Sequence, residues 1–282
     1  SLSSVNIDKR DFTRRTDLNI SHNKEEIVSL VNGKQDMPSN GWFIGQPLSV
    51  YRYYIVDGLW QNTPEDLAEI AEWKKNGYNF APGQYKPKEV NKNYKLEDDD
   101  KQIVGNRSPK VVIGLTNTFN YKNWELSFFL YGRLGQKYYY NIDPNASGDY
   151  VVYGRKASLN DFWSEENPNA KYPKLTSASN VSDANVNRSA NVHNGSFVSV
   201  RNISLGYTFK DKLLSKYSIR SLNVFAQVIN PFLFGGEVVK AGVNPEDTNN
   251  LNSFNSVGDL QGATNNNTMM TTSFVFGLRL GF

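Results

Sequence analysis

The sequence contains no cysteine, and this absence excludes a disulfide framework, a thiolate zinc site and a cysteine nucleophile. It also lacks any run of about 18 apolar residues, the length that a transmembrane helix requires. We therefore expect no membrane-spanning helix. A chain that crosses a bilayer with strands is not excluded, because such strands alternate apolar with polar residues.

An excess of charge of one sign is missing as well. Lys and Arg number 31 and Asp and Glu 28, so the net charge is only +3, which is no electrostatic footprint for nucleic acid. The two histidines, His22 and His193, lie in unrelated places, and no Ser/His/Asp order, paired-carboxylate motif or phosphate-binding glycine loop is present. We therefore expect neither an enzyme nor a cofactor.

A signal peptide is not expected at the start of the sequence. Ser1-Leu-Ser-Ser4 has neither a basic beginning nor an apolar stretch. Either a secreted form has lost its signal, or the chain is a piece of something longer.

Aromatic residues, by contrast, are abundant at 13%, and the last nine residues arrange them in strict alternation. One face carries Phe274, Phe276, Leu278, Leu280 and Phe282, and the other carries small or charged residues. A period of two predicts a β-strand. A soluble sandwich shows the same alternation, but an aromatic stripe running to the last residue is more typical of a lipid-facing strand in an outer-membrane barrel.

Six further segments alternate in the same way, and one at the N-terminus, residues 2–7, is ambiguous. The predicted strands are residues 12–22, 47–60, 111–121, 124–137, 197–209 and 219–229. Tyr121 and Trp124 bracket the short turn Lys122-Asn123, as the rings of an interfacial aromatic girdle do. Helices are predicted at residues 64–76, where Thr63 caps and Gly77 terminates, and at residues 159–163.

The connections alternate in length, and this sorting favours a membrane barrel with short turns on one side and long loops on the other. The long connections are residues 61–109, 141–195 and 230–269, and the short ones are residues 122–123 and 211–216. The connection 24–46 is expected on the short-turn side and is too long for it. Because the inward faces carry Gly, Thr and Ser, the strands are predicted to form an arc of a wide barrel.

Several phrases in order resemble the SusC/RagA family of TonB-dependent outer-membrane transporters. They are Asn19-Ile-Ser-His-Asn23, Ile27-Val-Ser-Leu30, Val56-Asp-Gly-Leu-Trp60, Gly105-Asn-Arg-Ser-Pro109, Phe119-Asn-Tyr-Lys-Asn-Trp-Glu-Leu126, Phe162-Trp-Ser-Glu-Glu-Asn-Pro-Asn-Ala-Lys-Tyr-Pro173, Ser196-Phe-Val-Ser-Val-Arg-Asn-Ile-Ser-Leu-Gly-Tyr207 and Phe276-Gly-Leu-Arg-Leu-Gly-Phe282. Each phrase is weak alone, whereas the ordered set is specific. The resemblance covers nearly the whole chain but only the C-terminal third of such a receptor.

The resemblance implies that residues 1–282 supply seven or eight strands of a plugged barrel of about 22 strands in the outer membrane of a Gram-negative bacterium. It also implies the partners: the N-terminal plug and earlier strands, TonB acting through them, the lipid bilayer, and a SusD-like surface lipoprotein. The expected function is import of oligosaccharides or peptides. Two alternatives are a soluble surface carbohydrate-binding β-sandwich and a barrel with an enzymatic role.

Loop aromatics are the candidate substrate-binding residues, because rings stack on sugars, although ordinary loop cores use the same residues. The candidates are Trp60, Trp73, Tyr78, Phe80, Tyr85, Tyr153, Trp163 and Tyr172. We expect no metal site, but Glu89, Asn91 and Asn93 form a calcium-like candidate with oxygen ligands at alternate positions. A solvated acidic loop is the alternative, since Lys95 stands at the next ligand position.

Overall fold

The computed structural model describes residues 1–139, 161–174, 186, 189–209, 219–240, 242–246 and 270–281. Strands dominate these residues. They are β1 (Leu2–Lys9), β2 (Phe12–His22), β3 (Val50–Tyr54), β4 (Val56–Leu59), β5 (Tyr85–Pro87), β6 (Lys101–Asn106), β7 (Val111–Tyr121), β8 (Trp124–Leu134), β9 (Lys137–Tyr139), β10 (Val192–Asn194), β11 (Phe197–Thr208), β12 (Ser221–Gly235) and β13 (Ser273–Gly281). The helices are α1 (Pro64–Lys75) and α2 (Glu237–Lys240). None of the helices in the described ranges is long and apolar enough to cross a bilayer.

Seven long strands form one antiparallel sheet in the order β1-β2-β7-β8-β11-β12-β13. Each strand therefore pairs with the strands that precede and follow it among the seven, which is the up-and-down arrangement of membrane barrels. Strands β1 and β13 are the two edges, so the seven strands form an open arc. The ambiguous N-terminal segment is a strand of this sheet.

The register gives the seven strands one continuous apolar face. Leu18 pairs with Leu115, which pairs with Leu130 and through it with Val200 and then Phe232. This face is open in the structure: Phe276 is 78% exposed and Phe274 68%. No second sheet covers it within the described residues, so it is not the inner face of a sandwich.

The opposite face carries polar and small residues. Here Asn19 pairs with Gly114, Glu125 with Gly206, and Asn223 with Arg279. We call the apolar face the outer face and the polar face the inner face, because a barrel that meets lipid outside and water inside requires this sidedness.

Aromatic residues cross the outer face in one row near the short turns. Phe12 pairs with Tyr121, Tyr121 with Trp124, and Trp124 with Tyr207. The rings of Trp124 and Tyr207 lie 4.8 Å apart. This row is where a barrel strand passes from hydrocarbon into the headgroup region.

All the short turns lie at one end of the sheet and all the long connections at the other. The turn at residues 10–11 and the turn Lys122-Asn123 lie side by side, since the Lys122 amide donates to the Asp11 carbonyl at 2.9 Å. The connection 209–220 joins them at this short-turn end, because the Thr208 amide donates to the Asn123 carbonyl. Residues 23–110, 135–196 and 236–272 connect the strands at the other end.

The predicted strand 47–60 is not part of the wall, and the connection 24–46 is not a short-side turn; both predictions were wrong. Residues 23–110 are one long connection, within which β3 pairs with β6 and β4 with β5. The alternating Tyr51 and Tyr53 are buried in this connection and do not face lipid. The prediction failed because a two-residue alternation indicates a strand with two different faces but does not indicate what covers each face.

Strand β12 runs further than predicted, passing through Asn230 and Pro231. Asn230 has φ +51, and the β11–β12 register shifts between Val200 and Asn202, so Arg201 faces these two residues. A bulge on both strands therefore absorbs the proline, which has no amide hydrogen to donate to a ladder. Of the short helix predicted at residues 159–163, residues 161–163 are described, and they are not helical: Phe162 forms a β-bridge with Tyr172.

Candidate functional site

The first long connection, residues 23–110, folds around a core of its own. Trp60 and Trp73 are both 0% exposed and pack with Phe80 and Tyr85. Val186 of the second long connection completes the cluster. Two long connections are thus joined by one apolar core at the same end of the sheet.

Helix α1 delivers Trp73 to this core. It begins at Thr63, whose side chain accepts from the Asp66 amide at 3.3 Å, and Pro64 occupies its first turn. Lys74 and Lys75 lie in the last turn, and Gly77 follows with φ +89. The predicted helix is confirmed within one residue.

A lysine fixes the helix to the strand beneath it. Lys86 Nζ lies 2.6 Å from Glu69, 2.9 Å from Asp66 and 4.4 Å from the Trp60 ring centroid. Burial opposes the ammonium charge, but the hydrogen bonds to Glu69 and Asp66 outweigh it and raise the pKa of Lys86.

Gly83 joins the first and second long connections. Its carbonyl accepts from the Lys174 amide at 2.7 Å and its amide donates to the Trp60 carbonyl at 2.7 Å. The Trp163 indole donates to Gln61 at 3.0 Å across the same seam. A methyl group on Gly83 would lie 2.5 Å from the Trp163 ring, so only glycine fits there.

Between these two connections lies an open cleft of about 630 Å³, which is the candidate binding site. Strand β4 and Tyr85 form one wall, and residues 168–172 and 189–193 form the other. The walls are held together where the Val56 amide donates to Ser189 Oγ at 3.1 Å.

The polar groups of the cleft come from three parts of the chain. Asp57 is exposed on β4, while Lys171 and His193 line the other wall. Glu237 at the start of α2 binds both, with Lys171 Nζ at 2.6 Å and His193 Nδ1 at 3.0 Å. The hydrogen bond from Lys171, followed by the one from His193, lowers the pKa of Glu237 despite partial burial, and the same bond to Glu237 raises the pKa of Lys171.

Of the predicted aromatic residues, Tyr85 and Tyr172 line the cleft, but only Tyr172 is partly exposed, because Tyr85 is a buried member of the loop core. Trp60 and Trp73 have no exposed surface, and Phe80 and Trp163 have almost none, so their rings offer no face to a sugar in this conformation. Tyr78 packs against the loop core and its hydroxyl accepts from the Leu96 amide at 3.0 Å. Tyr153 lies outside the described residues.

Asp57, Lys171 and His193 were not predicted as site residues. They lie far apart in the sequence, and the seam at Gly83 and the α2 contact bring them together. No local motif carries this information, so the sequence alone offered no signal for them.

In the calcium-like candidate, the side-chain oxygens accept hydrogen bonds from backbone amides of the same loop. Glu89 and Asn91 side-chain oxygens both accept from the Asn93 amide, at 3.2 and 3.1 Å, and Asn93 Oδ1 accepts from the Lys95 amide at 2.8 Å. Among the described residues, no group of three or more His, Asp or Glu side chains is placed to hold a metal ion. The geometry therefore fits the solvated-loop alternative, which metal titration would test.

The inward arginines make contacts within the wall and loops. Arg133 Nε donates to the Tyr131 hydroxyl at 2.8 Å, and Arg279 lies 5.0 Å from the Phe225 ring centroid. Arg201 pairs with Glu246 of the third long connection and so ties that connection to the inner face.

An open antiparallel arc with an apolar outer face, a polar inner face and all its long connections at one end is a segment of a transmembrane β-barrel. Protein-family models gave no match. The chain is 25% identical to TonB-dependent receptor P3 of Formosa agariphila over its full length, which corresponds to 28% of that receptor. It is also 25% identical to TonB-dependent receptor SusC of Bacteroides thetaiotaomicron, over 87% of the chain and 23% of SusC.

Solved structures show the same fold. The RagAB peptide transporter aligns with a TM-score of 0.58 and 18% identity over 82% of this chain and 25% of that one. Its "open-open" state aligns with a TM-score of 0.59 and 17% identity. The chain is a homologue of the TonB-dependent receptors of the SusC/RagA family and spans roughly a quarter of their length.

Proposed function

We propose that the chain forms part of the barrel wall and extracellular loops of a SusC-like transporter that imports oligosaccharides or peptides across the outer membrane. The apolar outer face, together with the sorted connections, supports this proposal, because it would set the seven strands across a bilayer with the cleft at the long-loop end. This end is extracellular in barrels of this kind. Its receptor relatives make nutrient import the expected activity and give no reason to assign catalysis.

The proposed transporter requires polypeptide outside residues 1–282. A plug inside the barrel would contact TonB, and the remaining strands would complete the wall between β13 and β1. This chain supplies the fixed wall and the loops, and the plug supplies the moving part.

The membrane placement is tested by fractionation and gel electrophoresis. We expect the receptor to be extracted only with detergent and to run at a different apparent mass before and after boiling, because a closed barrel resists unfolding in detergent at room temperature. A chain that stays in the soluble fraction in plain buffer would contradict the proposal.

The partner proposal concerns the long-loop end. A SusD-like lipoprotein would cover the cleft and bury loop surface around it, including the exposed Leu67 of α1 and Val90. Affinity purification of the receptor from solubilised outer membranes should retain the lipoprotein. Recovery of the barrel alone under mild detergent would count against this partner.

The cleft provides the proposed substrate contacts: the ring of Tyr172, an exposed carboxylate at Asp57 and an ammonium at Lys171. Rings with nearby amide and charged groups suit both a sugar and a peptide backbone. Titration of the purified receptor and lipoprotein with an oligosaccharide panel and a tryptic peptide mixture distinguishes the two. Tyr172→Ala should weaken whichever ligand binds, whereas Tyr54→Ala, outside the cleft, should not.

A further inference from the structure

The outer face is not uniformly apolar near the short-turn end. Arg14 lies on this face of β2, next to Phe119, with its guanidinium carbon 5.4 Å from the ring centroid. Lys122 Nζ lies 5.3 Å from the ring centroid of Tyr121. The pairing of Lys9 with Phe12 places a third cation beside the aromatic row.

No carboxylate lies among the outer-face positions of the strands around these cations; the acid next to them in the short turns is Asp11, whose carbonyl accepts from the Lys122 amide. On β1, β2, β7 and β8, all of which lie in described ranges, the outer-face positions hold apolar, amide, hydroxyl, histidine or basic residues. Asp17 and Glu125 belong to the inner face, where Asp17 pairs with Arg15. These two acids therefore lie on the opposite side of the sheet, and Asp17 is already paired.

One neutral side chain, Asn117, orients the guanidinium. Asn117 is only 3% exposed, and its Oδ1 accepts from Arg14 Nη2 at 3.3 Å and from Thr16 Oγ1 at 2.8 Å. These contacts hold the arginine against the outer face but do not neutralise it. An unneutralised guanidinium in contact with lipid is costly unless its head reaches an anion in the interface.

From these observations we propose that Arg14, Lys122 and Lys9, around the rings of Phe12 and Tyr121, form a binding site for the phosphate of an anionic phospholipid in the periplasmic leaflet. This inference rests on the proposed membrane placement. The aromatic row puts the three cations at headgroup depth, the short-turn end selects the leaflet, and the unbalanced positive charge selects an anionic lipid over a zwitterionic one.

Trp124 offers a local probe of this site. It is the only tryptophan in the seven-stranded sheet, since the other four of the chain lie in the long connections. The full receptor is reconstituted in phosphatidylcholine vesicles that contain brominated phosphatidylglycerol or, at the same bromine content, brominated phosphatidylcholine. Subtracting the fluorescence of a Trp124→Phe variant isolates the quenching of this residue.

We expect brominated phosphatidylglycerol to quench Trp124 more strongly. Arg14→Gln should lower the relative binding constant for the anionic lipid by about fivefold, the effect of one cation near an anionic surface. Arg14→Lys should retain most of the preference. Arg15→Gln is the matched control, because it removes the same charge one residue away on the inner face, and it should leave the preference unchanged.

Equal quenching by the two lipids in the unmodified receptor, or an equal loss in Arg15→Gln, would overturn the lipid site while leaving the membrane placement intact. Absence of quenching by either lipid would contradict the membrane placement itself. If Arg14→Gln does not assemble, Lys122→Gln in the turn provides the same comparison, and an unchanged preference there would count against the site.

Discussion

At the scale of single residues, Gly83 lies at the seam where the two long connections meet. Its φ of +86 and the nearby Trp163 ring are separate constraints. Gly77 has a similar φ of +89 but nothing within 4 Å of an added methyl group. An alanine at Gly77 therefore meets backbone strain alone, whereas an alanine at Gly83 meets both backbone strain and a steric clash.

We predict that Gly83→Ala opens the seam. The clash with Trp163 should cost about 1–3 kcal/mol beyond the backbone strain, and the Lys174 amide should lose its protection because its acceptor is the Gly83 carbonyl. Hydrogen exchange of the segment 161–174 measures this. Gly77→Ala carries the backbone strain alone, so similar exchange in both variants would show that the contact with Trp163 is unimportant.

Lys86 carries a second residue-scale prediction. Lys86→Met leaves Asp66 and Glu69 close together without a counterion, so helix α1 should open more easily by about 1–3 kcal/mol. Native-state hydrogen exchange of the α1 amides gives this free energy directly. Lys75→Met, which breaks the exposed pair with Glu72, should change it by no more than about 0.5 kcal/mol. A Lys86 variant that behaves like the Lys75 variant would contradict the buried role.

At the scale of elements, α2 is attached to the cleft wall through Glu237. Because the folded pKa of Glu237 is lowered, its contribution to stability is present above the ordinary value of 4.5 and is lost as the pH falls below it. The raised pKa of Lys171 means that its contribution is present below 10.5 and is lost as the pH rises beyond that value. Between these limits the attachment should not vary with pH.

We therefore predict that the exchange protection of residues 237–240 is constant from neutral to weakly acidic pH and decreases only below pH 4.5. The measurement is hydrogen exchange corrected for the intrinsic pH dependence of amide exchange. Glu237→Gln should weaken protection at neutral pH and remove the acid-dependent loss. A loss of protection that begins near pH 6 on acidification would show that protonation of Glu237 is not what releases α2.

The elements also show what sequence patterns can and cannot predict. Strands β7 and β8 were predicted at their observed start because each has one apolar and one polar face joined by a two-residue turn. Residues 47–60 alternate equally well, yet Tyr51 and Tyr53 face a loop core. Alternation predicts that a strand has two environments, but lipid and a protein interior are equally apolar, so it cannot assign the strand to the wall.

The candidate site was less predictable for the same kind of reason. An aromatic residue in a loop can stabilise the fold by packing in its core, or it can bind a ligand. The sequence does not distinguish these two roles. Tyr172 is partly exposed in the cleft, whereas Trp60, Trp73 and Tyr85 belong to the buried core that supports it. That division depends on the seam at Gly83 and on Val186, which are contacts between residues about one hundred positions apart.

At the scale of the whole molecule, everything depends on which face of the arc meets lipid. Phe276 and Val275 are adjacent on β13, and their side chains lie on opposite faces of the sheet. Phe276 pairs with Ala226 on the outer face, and Val275 pairs with Gln227 on the inner face. Both side chains are exposed in the arc. Introducing the same charge at each position therefore tests the orientation directly.

We predict that Phe276→Arg destabilises the membrane-inserted barrel by about 1–3 kcal/mol, between the costs of a cation at the interface and at the mid-plane, because Phe276 lies two residues from the level of the aromatic row; the variant should also reduce the heat-modifiable form on unboiled gels. Val275→Arg should leave that form nearly unchanged, because the inner face is hydrated. The reverse result, with Val275→Arg the harmful variant, would mean that the sheet is turned inside out relative to this description. If both variants were harmless, β13 would not meet hydrocarbon, and neither the import function nor the lipid site could stand.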